Sequence, residues 1–485
     1  MVLPWLLYSA TLSAGFVWDD HNLIEMRPPR PSLAELRAMW GADFWQTASS
    51  RSQYYRPLTT TSFWLDRALF GLNPRGYHFT NVLLYSLTCG AAYLLLYRLL
   101  KKPLTALLLG LAFAAQPAHT ENVAWISGRT DIVCALFMFA SLLAYFTAEE
   151  EERPGLLVGA VALFFLSLLG KEMSLPLIAV IGIDQLRRRG PSPAAALRLA
   201  PFLAAAALFW LLHSSAAGGS GIENLYHTPG AKFLNVARNL ALGVWFSLAP
   251  GGFHLLVAAT REEAGKLFVI PGGLRLAALL LPLAAALGGT ALAAWKRKDL
   301  LFLALASGLL SLLPISGVIP IGVVFAIRFL LIPSFFFFLA AGALLAPVAE
   351  RKVLTVPLPV LILVPVIALY AAFTFLRAPA WRSDVTLMES ALEKDPDAAL
   401  GHFLLGNGLA SQGRDDEAMA HYLRAVELRP QYPDAYYNLG ALEEREGRLQ
   451  AAEASYRRSL ASNPDYGPAR MALMRLSQRS GRMPR

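Results

Sequence analysis

Charged side chains are scarce in this sequence. They make up 16% of its 485 residues, against about 25% in an ordinary soluble domain. That deficit, with a mean hydropathy of +0.45, argues against a soluble protein. Cysteine is almost missing. Cys89 and Cys134 are the two present, and both lie within apolar runs, where a thiol packs as a small hydrophobe. Neither a disulfide nor a Cys-based metal site is suggested. No basic run is interleaved with aromatics, so no nucleic-acid surface is expected. No Ser-His-Asp spacing and no phosphate-cradling glycine loop occurs. Asp19, Asp20 and His21 are consecutive, and such neighbours rarely point at one ion. Met1 enters an apolar run without the basic n-region of a signal peptide. We therefore expect a first transmembrane helix, with a few further residues upstream of this start.

Apolar length is abundant instead. Runs able to span fall near residues 1–18, 78–97, 103–118, 131–148, 155–170, 173–186, 199–214, 274–295, 300–318, 329–347 and 354–376. An 18-residue helix covers about 27 Å, just short of a hydrocarbon core of roughly 30 Å. Basic clusters stand at Arg98/Lys101/Lys102, Arg187–Arg189, Lys296–Lys298 and Arg351/Lys352, within a net charge of +9. Placing those clusters in the cytoplasm makes about eleven spans alternate correctly. The reading is an all-α polytopic membrane domain over residues 1–377, with large non-cytoplasmic loops at 19–77 and 215–273. The first loop is rich in aromatics (Trp40, Phe44, Trp45, Tyr54, Tyr55, Phe63, Trp64) and should lie at headgroup depth. The leftover apolar segment 235–257 is expected to be re-entrant or in-plane, since a full crossing would misplace Lys296–Lys298. A plain twelfth span is the alternative.

Beyond residue 376 the composition changes. Pro396, Pro430 and Pro464 are 34 residues apart, as are Gly413, Gly447 and Gly481. Leu405-Gly406 recurs as Leu439-Gly440, and Ala418/Tyr422 as Ala452/Tyr456. This is the tetratricopeptide period and pattern. Residues 381–485 should form a short solenoid of two full repeats with flanking half repeats. By the same alternation it lies on the non-cytoplasmic side.

Polar residues gather on that side too, at helix ends. Asp19 and Asp20 follow the first run. Tyr55 and Arg56 lie in the first loop. His78 and Asn81 share one helical face. His119 and Glu121 end the third run, Arg129 and Asp131 open the fourth, Lys171 and Glu172 divide the fifth from the sixth, and Arg328 opens the tenth. A helix cap or a packing ion pair could account for any one of these. Their joint occurrence on one side points to a site, because charges at the edge of apolar helices are costly unless paired or functional.

The motifs Phe-Val-Trp-Asp-Asp (16–20), Tyr-Arg-Pro-Leu (55–58), His-x-x-Asn (78–81), Pro-x-His-Thr-Glu (117–121), Gly-Arg-x-Asp (128–131) and Lys-Glu (171–172) occur in this order ahead of the repeats. Together they resemble the transmembrane-and-tetratricopeptide protein O-mannosyltransferases, of the GT-C superfamily. The chain departs from that pattern at Gln116, where the family usually has His, and at Ile327, where it usually has Glu before Arg328. The resemblance implies transfer of a sugar, mannose or a similar hexose, from a polyprenyl-phosphate carrier to a hydroxyl acceptor, protein Ser or Thr, on the non-cytoplasmic face. Such chemistry needs a carboxylate base and cations for the leaving phosphate. Asp19 or Asp20 would be the base, with Asp19 favoured by the resemblance. Arg56, Arg129, Lys171 and Arg328 are phosphate candidates. Tyr55, His78, Asn81, His119, Glu121, Asp131 and Glu172 would position sugar or acceptor. A one-step displacement would invert the anomeric centre.

No resident cofactor or metal is called for, although a divalent metal would be compatible with the reaction. The partners are the polyprenyl-phosphate lipid, the membrane and a protein or peptide acceptor docked by the repeats, with no nucleic acid. The location is multi-pass, in a bacterial inner membrane or one like the endoplasmic reticulum. A non-catalytic envelope scaffold is the competing reading, but two or three spans would anchor one. A transporter would show internal repeats between halves.

Overall fold

The computed structural model describes residues 2–27, 31–45, 54–217, 229–248, 274–318 and 325–479. The chain divides between Trp381 and Arg382 into two units. The first contains α1 (Leu3–Leu7), α2 (Leu33–Trp40), α3 (Pro57–Phe70), α4 (Pro74–Leu100), α5 (Pro103–Ala115), α6 (Thr120–Ala124), α7 (Arg129–Glu150), α8 (Pro154–Gly170), α9 (Leu177–Arg189), α10 (Pro193–Ala217), α11 (Pro229–Leu248), α12 (Leu274–Trp295), α13 (Asp299–Leu312), α14 (Leu331–Leu345) and α15 (Leu358–Arg377). Proline opens α3, α4, α5 and α8, where the first turn has no use for the missing N–H. Among the described residues the unit is all-α apart from a short hairpin, Lys352–Val353 against Val356–Pro357.

This is a polytopic membrane protein. Among the described residues, five segments are long and apolar enough to cross: Pro74–Leu100, Ile126–Glu150, Pro193–Ala217, Ile327–Val348 and Leu358–Arg382. Four shorter apolar helices accompany them: Pro103–Ala115, Pro154–Gly170, Leu280–Trp295 and Asp299–Ile315. The expected eleven crossings are therefore not all matched by membrane-length helices. The run from Met1 to Trp18 needs correction, because it is not one spanning helix. It breaks into α1, a tight 3-10 turn at Ser9–Ser13 and extended chain. The hydroxyls explain the break. Ser9, Thr11 and Ser13 donate to the carbonyls of Leu6, Tyr8 and Ala10 at 3.0, 2.7 and 3.0 Å, competing with the α-helical ladder. α11 is helical over the first part of the segment read as re-entrant. Residues 249–257 of that segment, most of the loop 215–273, and residues 46–53 of the first loop lie outside the described residues.

α14 forms the centre of the bundle, buried on nearly every side. Phe335 packs on Phe139 with ring centroids 4.6 Å apart, and both meet Phe113. α7 lies against α8 and α4. Gly170 permits this approach, since a Cβ there would fall 2.9 Å from Val133 Cγ1.

The second unit contains α16 (Asp384–Leu392), α17 (Ala399–Ser411), α18 (Asp415–Leu428), α19 (Pro433–Arg445), α20 (Leu449–Ser462) and α21 (Gly467–Arg479). The pairs α17/α18 and α19/α20 are the two full repeats. Gly413 and Gly447 turn each pair at φ +74° and +81°, a backbone that a side chain would strain. Gly406 and Gly440 leave room for the Tyr422 and Tyr456 rings, which a Cβ would meet at 2.6 and 2.8 Å.

Candidate active site

The candidate residues divide into those that line one polar cavity and those that hold its walls. The cavity measures about 140 Å³ and is lined by Asp19, Tyr54, Arg56, Lys171, Glu172 and Arg328, with Phe44, Trp45, Met173 and Phe329 among its apolar surfaces.

Three cations meet there, each beside a carboxylate. Arg56 Nη2 lies 2.9 Å from Glu172 Oε1, and Lys171 Nζ lies 2.6 Å from Asp131 Oδ1. Arg328 pairs with Glu121. The family's acidic position before Arg328 is Ile327 here, and α6 supplies the missing carboxylate from across the bundle. Asp131 and Glu172 are engaged by the other two cations instead. The Phe329 ring lies between two of the cations, 4.3 Å from Lys171 Nζ and 4.9 Å from the Arg328 guanidinium carbon. Its face attracts both and eases their mutual repulsion.

Burial pushes the Lys171 ammonium below its usual range, against the pull of Asp131. Burial alone would lower the Arg56 pKa and raise that of Glu172. Their mutual attraction wins, so Arg56 stays above its ordinary value and Glu172 below. Both remain charged.

The two adjacent carboxylates differ sharply. Asp20 is fully buried and does not line the cavity. It accepts from Val17 N at 3.1 Å, Ser127 N at 2.9 Å and Ser127 Oγ at 2.5 Å. It pins the start of the first loop to the segment ahead of α7. Asp19 lines the cavity and accepts no hydrogen bond from any described residue. Burial pushes its carboxyl up to about 6, with Arg328 opposing. Burial likewise pushes Asp20 up to about 7, with its hydrogen-bond donors opposing.

The chain turns just ahead of the two at Trp18, whose φ of +53° is left-handed. That conformation costs a non-glycine residue about 1–2 kcal/mol. An aromatic stack offsets it: Trp18 lies on Trp125 at 5.5 Å, and Trp125 on Trp381 at 5.8 Å, both nearly parallel.

Other candidates support the frame. Arg129 is wholly buried outside the cavity. It pairs with Asp66 at 2.6 Å and donates to Asn81 Oδ1 at 2.5 Å and Tyr77 O at 2.8 Å. Asn81 also donates to the carbonyls of Val123, Trp125 and Ile126. His78 Nε2 lies 3.2 Å from Gly15 O. His119 sits in the core between Tyr85 and Ser334, at 2.9 Å from each. Tyr55 is buried and donates to Trp40 O at 2.9 Å.

Tyr54 is the cavity residue that the sequence reading passed over in favour of Tyr55. Residues 54–56 are not helical. In extended chain, side chains alternate, so Tyr54 accompanies Arg56 and Tyr55 faces away. The alternation, counted back from Arg56, was the signal. Among the described residues, no group of three or more His, Cys, Asp or Glu could hold a metal ion.

Fold and site thus define a class: a multi-pass membrane protein with a cation-lined cavity around a carboxylate that no described residue caps, followed by tetratricopeptide repeats. Known families and proteins agree. Residues 406–447 match the family described as TPR repeat, and residues 433–466 match Tetratricopeptide repeat. The chain is 36% identical over 185 residues to Protein O-mannosyl-transferase TMTC2 of Mus musculus, covering 36% of this chain and 22% of that protein. It is 27% identical over 452 residues to Protein O-mannosyl-transferase F38B6.6 of Caenorhabditis elegans, covering 89% and 62%. For Protein O-mannosyl-transferase TMTC1 of Homo sapiens the identity is 27% over 508 residues, covering 90% and 55%. The chain spans less than two thirds of the length of each of these relatives. The chain is thus similar to the TMTC proteins, as its ordered motifs and repeats led us to expect.

Proposed function

We propose that this protein is an integral membrane glycosyltransferase of the GT-C type. It moves a hexose, mannose by its likeness to the relatives, from a polyprenyl-phosphate carrier to a protein Ser or Thr hydroxyl. The observation that carries the reading is Asp19, a carboxylate that accepts no hydrogen bond from any described residue, facing a cavity shared with Arg56, Lys171 and Arg328.

In the reaction, Asp19 takes the acceptor's hydroxyl proton as the oxygen attacks the anomeric carbon. The bond from that carbon to the phosphate oxygen breaks, and its electron pair leaves with the phosphate. Attack from the opposite face inverts the centre. The guanidinium forks and the ammonium stabilise the charge growing on the leaving group. Their carboxylate partners keep them ionised and oriented while donors on each remain for the phosphate. The repeats would dock a peptide acceptor, and both units would work on the non-cytoplasmic side.

Purified protein supplied with radiolabelled polyprenyl-phosphate mannose and a Ser/Thr peptide should yield labelled peptide. A fully folded preparation that transfers from no polyprenyl-phosphate sugar would refute the assignment. Cysteines placed at the exposed Met26 and Gln412 should both react with an impermeant reagent in intact cells. Opposite accessibility would sink the shared-side arrangement.

A further inference from the structure

A second cavity lies outside the catalytic one and shares no residue with it. It is an apolar groove of about 520 Å³ between α11, α12, α13 and α14, with Val244, Ala286, Leu305 and Phe337 on its walls and Lys296 and Lys298 at one end. Its volume falls within the roughly 300–1,000 Å³ of small-molecule sites. Its walls belong largely to helices apolar enough for the membrane, so an apolar chain is the natural filling.

The basic end gives the occupant its charge. Four basic residues at other helix ends of this unit have carboxylate partners: Arg98 with Glu150, Lys102 with Glu350, Arg187 with Asp299 and Arg189 with Glu149. Lys296 and Lys298 form no ion pair with any described residue. Beside them Trp295 is 76% exposed, with Lys296 Nζ 4.5 Å over its ring. An exposed Trp next to lysines marks headgroup depth. An apolar slot ending in ammonium groups that no described carboxylate pairs, at that depth, matches a lipid with an anionic head.

We propose that this groove binds an anionic phospholipid, one acyl chain in the slot and the phosphate between Lys296 and Lys298. The site is separate from the donor's, and its occupant is a membrane lipid rather than a substrate.

Native mass spectrometry of the full chain, delipidated in mild detergent and titrated with phosphatidylglycerol or phosphatidylcholine, tests this. Phosphatidylglycerol should bind with a stoichiometry of one and a preference of roughly 30-fold, as two lysines near an anionic head imply. Lys296→Gln with Lys298→Gln should abolish the preference. Ala285→Trp fills the groove from an exposed rim position and should abolish bound phosphatidylglycerol with both lysines intact. Undiminished binding in Ala285→Trp would reduce the effect to diffuse surface attraction and overturn the proposal. So would equal binding of the two lipids, or displacement of phosphatidylglycerol by equimolar polyprenyl phosphate, which would give the groove to the donor lipid. Unchanged thermal unfolding of both variants is the control for folding.

Discussion

Replacing Asp19 with Asn removes the proton acceptor and almost nothing else. The side chain keeps its shape, and no described residue donates a hydrogen bond to the carboxylate that is lost. A general base contributes about 10²–10⁴ in rate, so turnover should fall by that factor, equivalent to about 3–5 kcal/mol of barrier. The pH profile adds a second reading. With the carboxyl raised from 3.8 to about 6, the wild-type rate should climb with pH on the acid side and level off above about 6, as the base form fills. The Asn variant should lose that limb.

Stability should move the other way. A carboxyl with a raised folded pKa binds its proton more tightly folded than unfolded. The stability it contributes is full below the unfolded value of 3.8 and lost as pH rises through about 6. Above that window the charged group is a burial cost, so Asp19→Asn should melt at the same temperature as wild type or higher. Single-turnover transfer from polyprenyl-phosphate mannose, run alongside thermal unfolding over the acid-to-neutral range, checks both. Wild-type turnover in Asp19→Asn, or an unchanged acid limb, would remove Asp19 from the role of base.

The neighbouring carboxylate should behave differently. Asp20→Ala leaves the Val17 and Ser127 donors buried without a partner, and thermal unfolding should show a loss of roughly 2–5 kcal/mol. Arg328→Leu strands Glu121 and should cost about 3–5 kcal/mol. Adding Glu121→Leu should restore the melting temperature without restoring donor affinity in equilibrium binding; recovery of both would make the pair purely structural. Arg328→Lys should bind the donor more weakly than wild type, because a point charge replaces a planar fork. Gly440→Ala drives a methyl against the Tyr456 ring and should destabilise the repeat unit by about 1–3 kcal/mol, read as an earlier loss of helical signal on heating.

The repeats were legible because their information is local. A period of 34 residues places proline, small residue and tyrosine at fixed offsets, and the contacts they specify lie within adjacent helices. The membrane bundle was legible only as apolar length. Where hydroxyls compete for carbonyls, as at Ser9, Thr11 and Ser13, length misleads, and the first run is broken rather than spanning. At the site, residue types announced themselves but roles did not. Asp19 and Asp20 are indistinguishable in sequence. The Ser127 donors, 107 residues away, decide which is capped. Arg129 looked like a phosphate ligand because its partner Asp66 is remote in sequence. Arg56, Lys171 and Arg328 likewise find their partners Glu172, Asp131 and Glu121 far along the chain.

Those pairings also set a timetable. Arg56 and Glu172 are 116 residues apart, and Glu121 and Arg328 are 207 apart. A ribosome adds about 5–20 residues per second, so Glu121 emerges roughly 10–40 s before its counter-ion exists. Throughout that interval the nascent chain holds an uncompensated carboxylate among helices already entering the bilayer, and only the arrival of α14 relieves it. The candidate cavity is thus among the last parts of the membrane unit to be completed. Its final cation comes just ahead of the central helix of the bundle, so no stretch of the membrane unit that stops short of α14 can assemble it. Lesions at Arg328 should accordingly register in cellular abundance, through quality control of a stalled intermediate, as well as in the chemistry of the finished protein.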